Sequence, residues 1–273
     1  MDNIIEVKNL VKRYPSFSLN HISFSLPEGC VSGLIGANGA GKTTTIRSIL
    51  NLARKDAGEV KIFGLHADEH EQEIKDRIGI VMDDGYFYND LSMKDMKSII
   101  APAYSKWSDD DYQSYMRKFG LDPKQKISTL SSGMKLKFAL VLALSHQAEL
   151  LIMDEPTRGL DPFVRSDFLE IIRAYMKNGG KGVLFSTHIT SDLDKIADML
   201  IFIDEGTIIF QQNKDDLLDN YRIVKGNTAL LNDQNKKFIK NLKVSSYGFA
   251  GITDCVAEVK KRIAGCAARK SEN

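Results

Sequence analysis

The residues best suited to chemistry fall in three short runs, Gly36-Ala-Asn-Gly-Ala-Gly-Lys-Thr43, Leu130-Ser-Ser-Gly-Met134 and Leu150-Leu-Ile-Met-Asp-Glu-Pro156. In the first, glycines at 36, 39 and 41 let the backbone turn its N–H groups inward. This makes an anion nest, completed by the N-terminus of the helix that follows. Lys42 places a positive charge on the outer phosphates of a nucleoside triphosphate, and the Thr43 hydroxyl suits Mg2+. The pattern Gly-x4-Gly-Lys-Thr by itself says only that such a triphosphate binds, because unrelated chemistries share it. Its setting agrees: Val31 to Ile35 reads as a short strand, and Thr43 to Leu52 has helical spacing.

Asp154 ends the apolar stretch Leu150 to Met153, where a carboxylate can hold Mg2+ directly or through water. Glu155, one residue on, can reach an attacking water; taken alone, such an acidic pair also reads as a solvated turn. His188 follows Val183-Leu-Phe-Ser-Thr187, on the crest where parallel sheets bind ligands. It can meet a terminal phosphate or serve as a satisfied structural histidine. Asp161 precedes Pro162 at a helix start and reads as an N-cap. Tyr14 suits either stacking on an adenine ring or plain packing, and Trp107 reads as packing.

These groups need a scaffold. Ile4 to Val7 and Phe17 to Leu26 alternate apolar residues and predict antiparallel strands. Val60 to Phe63 and Ile78 to Met82 predict further strands, with a charged helix over Glu69 to Arg77 between them. From about 86 to 147 strand signals vanish, and Leu91 to Ala101, Ser108 to Phe119 and Ser131 to Leu144 suit the helices of an insertion. Strands return at Leu150 to Met153, Gly182 to Ser186 and Met199 to Ile203, alternating with helices at Pro162 to Met176 and Thr190 to Ile196. That alternation predicts an α/β fold with a mainly parallel sheet. Asp204-Glu-Gly206 predicts a hairpin leading to Thr207 to Phe210. Further on, Tyr221 to Val224 suits a strand, and Val256 to Ala268 a small basic helix with Lys260, Lys261, Arg262 and Arg269.

With 37 basic and 36 acidic residues among 273, the net charge of +1 gives no overall field to recruit nucleic acid or an anionic membrane. The longest apolar run, Phe138 to Leu144, is far short of the roughly 20 residues that cross a bilayer. The start lacks a basic leader followed by an apolar run, and Cys30, Cys255 and Cys266 form no CxxC pair. A cytosolic protein without disulfides is expected.

Taken together the motifs resemble those of the ATPase subunit of an ATP-binding-cassette (ABC) transporter, over roughly residues 3 to 217. In order, Tyr14 resembles the aromatic A-loop, Gly36 to Thr43 the Walker A loop, and Leu130 to Met134 the signature. Leu150 to Glu155 resembles Walker B, Gly159 to Asp161 the D-loop, and His188 the switch histidine. The resemblance implies a P-loop ATPase domain over 1–217 with an N-terminal antiparallel β subdomain, a helical subdomain at about 86–147, and an extension over 218–273 without an assigned role. It implies ATP and Mg2+ as ligands. Tyr14, Gly36, Asn38, Gly39, Ala40, Gly41, Lys42, Thr43 and Thr44 would contact the nucleotide; Thr43, Asp83 and Asp154 would serve the metal; Glu155, His188 and Lys42 would serve catalysis. Two such domains, alike or different, pair head to tail, so that the signature of one, with Ser131 and Gly133, completes the ATP site of the other, and Asp161 of the D-loop also contacts nucleotide. Separate transmembrane subunits convert closure and hydrolysis into substrate movement, which places the chain on the cytoplasmic face of the membrane.

Two departures stand out. Asp83 occupies the place usual for Gln, and a carboxylate can approach Mg2+ but cannot donate a hydrogen bond when ionised. The signature reads Leu-Ser-Ser-Gly-Met, with Ser132 and Met134 replacing a glycine and an amide. Both, with Gly85 to Tyr88, resemble bacterial ATPase subunits of bacitracin-type exporters, which implies efflux. The competing readings are an ABC protein working on DNA or ribosomes, and a module that binds ATP but scarcely hydrolyses it. The first expects a long coiled coil, a second cassette or clustered basic residues, none of which the chain carries. Glu155 and His188 weigh against the second.

Overall fold

The chain divides into two compact units, Met1–Gln211 and Gln212–Asn273, and the computed structural model describes residues 2–82, 87–245, 248–255, 258–259 and 267–269. The first unit opens with β1 (Asn3–Tyr14) and β2 (Phe17–Pro27), an antiparallel hairpin in which Tyr14 faces Phe17. Alternation buries Ile5 and Val7; a register shift between Val7 and Leu10, with Asn9 at φ 50°, then moves the phase so that Leu10 is buried too. Such a bulge lets one long strand bend while keeping its apolar side inward. β3 (Cys30–Ile35) runs into the glycine loop and α1 (Lys42–Ile49). The helix stops short of the expected Leu52 because Asn51 turns into the left-handed region at φ 56°. β4 (Ala57–Ile62) and β5 (Leu65–His66) complete an antiparallel sheet of order β2-β1-β4-β5. α2 (Glu71–Asp76) then leads to β6 (Ile78–Val81).

The helical insertion holds α3 (Met93–Ile100), α4 (Asp109–Lys118) and α5 (Ser132–Ser145). Each starts on a serine, Ser92, Ser108 or Ser131, whose hydroxyl accepts the N–H three residues on. These caps satisfy donors that the first helical turn leaves free. The insertion has its own core, including Met93, Met96, Tyr112, Met116, Phe138 and Val141, with Trp107 packed at its margin. α5 is buried on a second side as well, against β6, where a Cβ on Gly79 would come within 2.6 Å of Ala143. This explains why the helix is apolar nearly all round.

β7 (Leu150–Asp154), α6 (Pro162–Lys177), β8 (Gly182–Thr187), α7 (Thr190–Ile196) and β9 (Met199–Asp204) alternate as the periodicity predicts. β10 (Thr207–Asn213) returns through Glu205 and Gly206, both left-handed, the geometry of a two-residue hairpin turn. The sheet order is β10-β9-β3-β8-β7-β6, with β9, β3, β8, β7 and β6 parallel. β7 and β8 are buried along their whole length, which is why they read as unbroken apolar runs instead of alternating ones. The register sets Ile35 beside Thr187 and Asp154 beside Ser186, so three strands end side by side.

At the opposite, N-terminal ends of the strands, Glu149 accepts from Arg77 at 3.0 and 3.1 Å and pairs with Lys181 at 2.9 Å. The hydrogen bonds from Arg77 outweigh the upward push of burial and, with those of Lys181, bring the Glu149 carboxyl down to about 2 from an ordinary 4.5. A folded-state value below the unfolded one stabilises the fold above about pH 4.5, and the contribution is lost as pH falls toward 2. Glu149→Gln is therefore expected to lower the melting temperature near neutral pH and to flatten its fall through that acid window. A pH series of thermal melts checks this; parallel curves for the two proteins would contradict it.

The second unit comprises α8 (Lys214–Asn220), β11 (Arg222–Gly226), α9 (Asp233–Lys236), β12 (Lys240–Ser245), β13 (Gly248–Thr253) and β14 (Ala267–Arg269). Its sheet has the order β12-β13-β11-β14 and packs Val224, Ile239, Phe249 and Val259. β11 matches the expected strand. The expected basic helix over 256–268 is corrected at its end: residues 267–269 form a strand paired with β11, because pairing to an open strand edge overrides weak local helical preference. Lys260, Lys261 and Arg262 lie outside the described residues.

Candidate nucleotide site

The glycine loop sits where β3 ends, and its surroundings dictate its residues. A Cβ on Gly36 would come within 2.4 Å of the Ile203 carbonyl oxygen. Gly41 takes φ 113°, and a Cβ there would meet Leu19 and Phe17 at 2.8 Å. The loop is thus pressed between the end of β9 and the β1–β2 hairpin, and only glycine gives both the conformation and the clearance. Asn38 and Gly39 are exposed at its crest, Ala40 is buried beneath, and Thr43 and Thr44 are half-buried on the first turn of α1.

Lys42 is 5% exposed and folds back over the loop, its Nζ donating to the carbonyls of Gly36 at 2.8 Å and Ala37 at 3.1 Å. Its ammonium also lies 3.0 Å from Glu155 Oε1. That contact is an ion pair off hydrogen-bonding direction, so Oε1 is buried without a hydrogen-bond partner among the described residues. Thr43 Oγ1 donates to Asp154 Oδ2 at 2.7 Å, and Ser186 Oγ donates to Asp154 Oδ1 at 2.6 Å. Glu155 takes φ 47°, a left-handed conformation that costs a non-glycine residue on the order of 1 kcal/mol. Its N–H, directed at the Ser186 carbonyl at 3.1 Å and hydroxyl at 3.0 Å, holds it there. Glu155 Oε2 then lies 2.8 Å from His188 Nδ1. Strain of this kind accumulates where a side chain must be aimed away from the direction its strand would give it.

Lys42, Thr43, Asp154, Glu155 and His188 therefore form one connected group at the ends of β3, β7 and β8. The Lys42 ammonium and the Thr43 hydroxyl at the start of α1 thus meet two carboxylates, Glu155 and Asp154, an arrangement suited to a polyanion with a divalent cation. Tyr14 is 45% exposed at the hairpin tip beside the loop: its cross-strand partner is Phe17, which abuts Gly41, and Lys12 Nζ lies 5.2 Å from its ring centre. The remaining residues stand apart from the group in the contacts described. Ser131 is exposed and caps α5, accepting from Met134 N–H at 3.2 Å, and Gly133 packs so closely on Val164 that a Cβ would approach it to 2.9 Å. Asp161 caps α6, accepting from Phe163 and Val164 N–H at 3.0 Å each. Asp83 lies outside the described residues. Sequence reading did not single out Ser186, which bonds both acidic residues; its only signal was a polar residue closing an apolar strand two positions before His188.

Comparison with known proteins decides among chemistries that share the loop. The profile of the ABC transporter family matches residues 19–158. The bacitracin transport ATP-binding protein BcrA of Bacillus licheniformis is 33% identical over 242 residues, spanning 88% of this chain and 78% of that protein. The chain belongs to the ABC transporter family. The lantibiotic transport ATP-binding protein SrtF of Streptococcus pyogenes is 31% identical over 215 residues, covering 78% and 92% of the two chains. The solved structure of an ATP-binding subunit of an ABC transporter matches with a TM-score of 0.71 at 27% identity, over 79% of this chain and 92% of that one. This ABC protein is thus an ATP-binding, ATP-hydrolysing transporter subunit with the P-loop ATPase fold that the order of motifs implied. Among the described residues no helix is long and apolar enough to cross a membrane. ABC subunits of transporters work with membrane subunits, and pairing of the ATPase domains is general in the family.

Proposed function

We propose that this chain couples ATP to export through separate membrane subunits, and that residues 1–217 form its ATPase domain. Two cassettes, identical or not, close head to tail so that Ser131, Gly133 and Asp161 of each face the ATP held by the other's glycine loop. The N-terminus of α5, with free N–H groups and about half a positive charge, suits a γ-phosphate. Tyr14 stacks on adenine, Asn38, Gly39, Ala40, Gly41 and Thr44 line the phosphates, and Lys42 exchanges its carbonyl partners for phosphate oxygens.

The residues fit Mg2+. The oxygens of Thr43 and Asp154 are 2.7 Å apart, a pair of hard donors at one point. Mg2+ is commonly held by one or two carboxylates with the remainder from phosphates and water. When bound, the metal neutralises charge on the outer phosphates. Glu155 then takes a proton from the attacking water, while His188 keeps that carboxylate aimed and reaches the terminal phosphate. Loss of the bridging phosphate removes what holds the two cassettes shut, and the membrane subunits reset.

The observation that supports this reading is the connected group itself, above all the 2.8 Å contact of His188 with Glu155, which weighs against a module that binds without hydrolysing. Relatives named for bacitracin and lantibiotic transport favour a peptide or drug-like cargo moved outward, with the chain on the cytoplasmic face. Purification of the tagged chain from its native membranes, with identification of everything bound, is expected to return a polytopic membrane protein in stoichiometric amount. Recovery only as a free pool would overturn the assignment.

A further inference from the structure

Beside the connected group lies a second set of buried polar contacts, none of them, among the described residues, to the glycine loop. Asp192, on the first turn of α7, is 1% exposed. Its Oδ2 accepts the Thr157 hydroxyl at 2.7 Å, and its Oδ1 lies 3.9 Å from Arg165 Nε of α6. A carboxylate this deep is costly to bury without partners, and a fold that retains one gains a fixed geometry from it or gains nothing.

The geometry fixed here is that of Glu155 and His188. Thr157 stands two residues beyond Glu155, and Asp192 four beyond His188. On the other side of the pair, Ser186, two residues before His188, holds the Glu155 N–H. The segment leaving β7 and the segment leaving β8 are therefore tied to each other on both flanks of the 2.8 Å contact. Between the ties, Ile189 N–H donates to the buried Thr187 hydroxyl at 2.9 Å, which shapes the turn that presents His188. On the first turn of α6, four residues after Asp161, Arg165 Nε is buried without a hydrogen-bond partner among the described residues, and its charge faces Asp192 at 3.9 Å. α6 in turn meets the signature helix through Val164 against Gly133 and through Lys137 with Asp167 at 3.6 Å.

We propose that Asp192 is a positioning residue that holds Glu155 and His188 in register and links that register to α6, so that ATP turnover depends on a carboxylate that never meets the nucleotide. The proposal rests on the roles given above to Glu155 and His188. Asn at 192 keeps an oxygen for Thr157 but places an uncharged amide where the carboxylate now faces the Arg165 guanidinium at 3.9 Å. Thr157→Val removes the hydroxyl at nearly constant size, whereas Thr157→Ser keeps it.

The test measures steady-state ATPase kinetics of the full chain with Mg2+, alongside equilibrium ATP binding and thermal melting, for Asp192→Asn, Thr157→Val and Thr157→Ser. A displacement of a reacting group by about an ångström costs on the order of a hundredfold. Asp192→Asn and Thr157→Val are accordingly expected to lower kcat about ten- to a hundredfold with KM and ATP affinity within about twofold. Thr157→Ser should stay near the parent. A purely structural carboxylate would instead reduce the folded fraction and leave kcat per folded molecule unchanged, and that result overturns the proposal. If Asp192→Asn fails to fold, the Val and Ser variants at 157 decide alone, and equal kcat in the two overturns it. Glu155→Gln and His188→Ala run in parallel: their retaining turnover would refute the site roles themselves, while their losing it beside a fully active Asp192→Asn would refute only the inference.

Discussion

Glu155→Gln is expected to bind ATP as the parent does, to hold paired cassettes shut, and to lose most turnover. The two side chains are nearly isosteric, so the contact with His188 at 2.8 Å and the left-handed backbone set by Ser186 can persist. What disappears is the charge that accepts a proton from water. General-base catalysis contributes about 10²- to 10⁴-fold, and kcat should fall within that range while ATP affinity changes little. Removing the negative charge 3.0 Å from Lys42 frees that ammonium for phosphate, which works in favour of tight binding. Light scattering with excess magnesium ATP should then report a stable dimer in the presence of whichever partner cassette the chain uses. Unchanged hydrolysis would remove Glu155 from the role of base.

Lys42→Ala is expected to fail one step earlier, at nucleotide binding. The ammonium is the central cation of the loop, and charge-assisted hydrogen bonds of this type are each worth about 1.5–3 kcal/mol. Affinity for ATP should therefore drop about tenfold to a hundredfold or more. The variant also strips Glu155 Oε1 of the cation it meets at 3.0 Å and two carbonyls of a donor, which destabilises the loop itself. Lys42→Arg separates the effects, since it restores the charge without the compact geometry. Nucleotide titrations and melting curves on both variants check this; parental ATP affinity in Lys42→Ala would mean that the phosphates lie elsewhere.

Most of the scaffold around these residues is legible in the order of apolar runs. β7, β8 and β9 sit where unbroken stretches of apolar residues occur, and α7 spans the same Thr190–Ile196 that periodicity indicates. The glycine loop is legible because its function is local: a turn of backbone N–H groups, a lysine and a hydroxyl need only a few consecutive residues. Legibility fails where a residue's environment comes from distant parts of the chain. α1 ends early on Asn51, the 267–269 strand forms against an edge more than forty residues upstream, and β4 joins β1 instead of the parallel sheet. None of these is a property of the local window, because sheet pairing is chosen by whichever edge is free and by the burial it affords.

From the order of residues alone came the class of ligand, the acidic pair, a histidine at a strand end and the alternation of strands and helices, since each depends on side-chain type and short spacing; the switch role of His188 is what the family resemblance implies. The folded chain alone decided that Asp154 meets Thr43 and Ser186, that Glu155 turns left-handed to reach Lys42 and His188, and that Asp192 ties Thr157 to Arg165 beside them. Those contacts join positions far apart in the chain, and the register of parallel strands, set by burial on both faces, brings the ends of β3, β7 and β8 and the segments leaving them together.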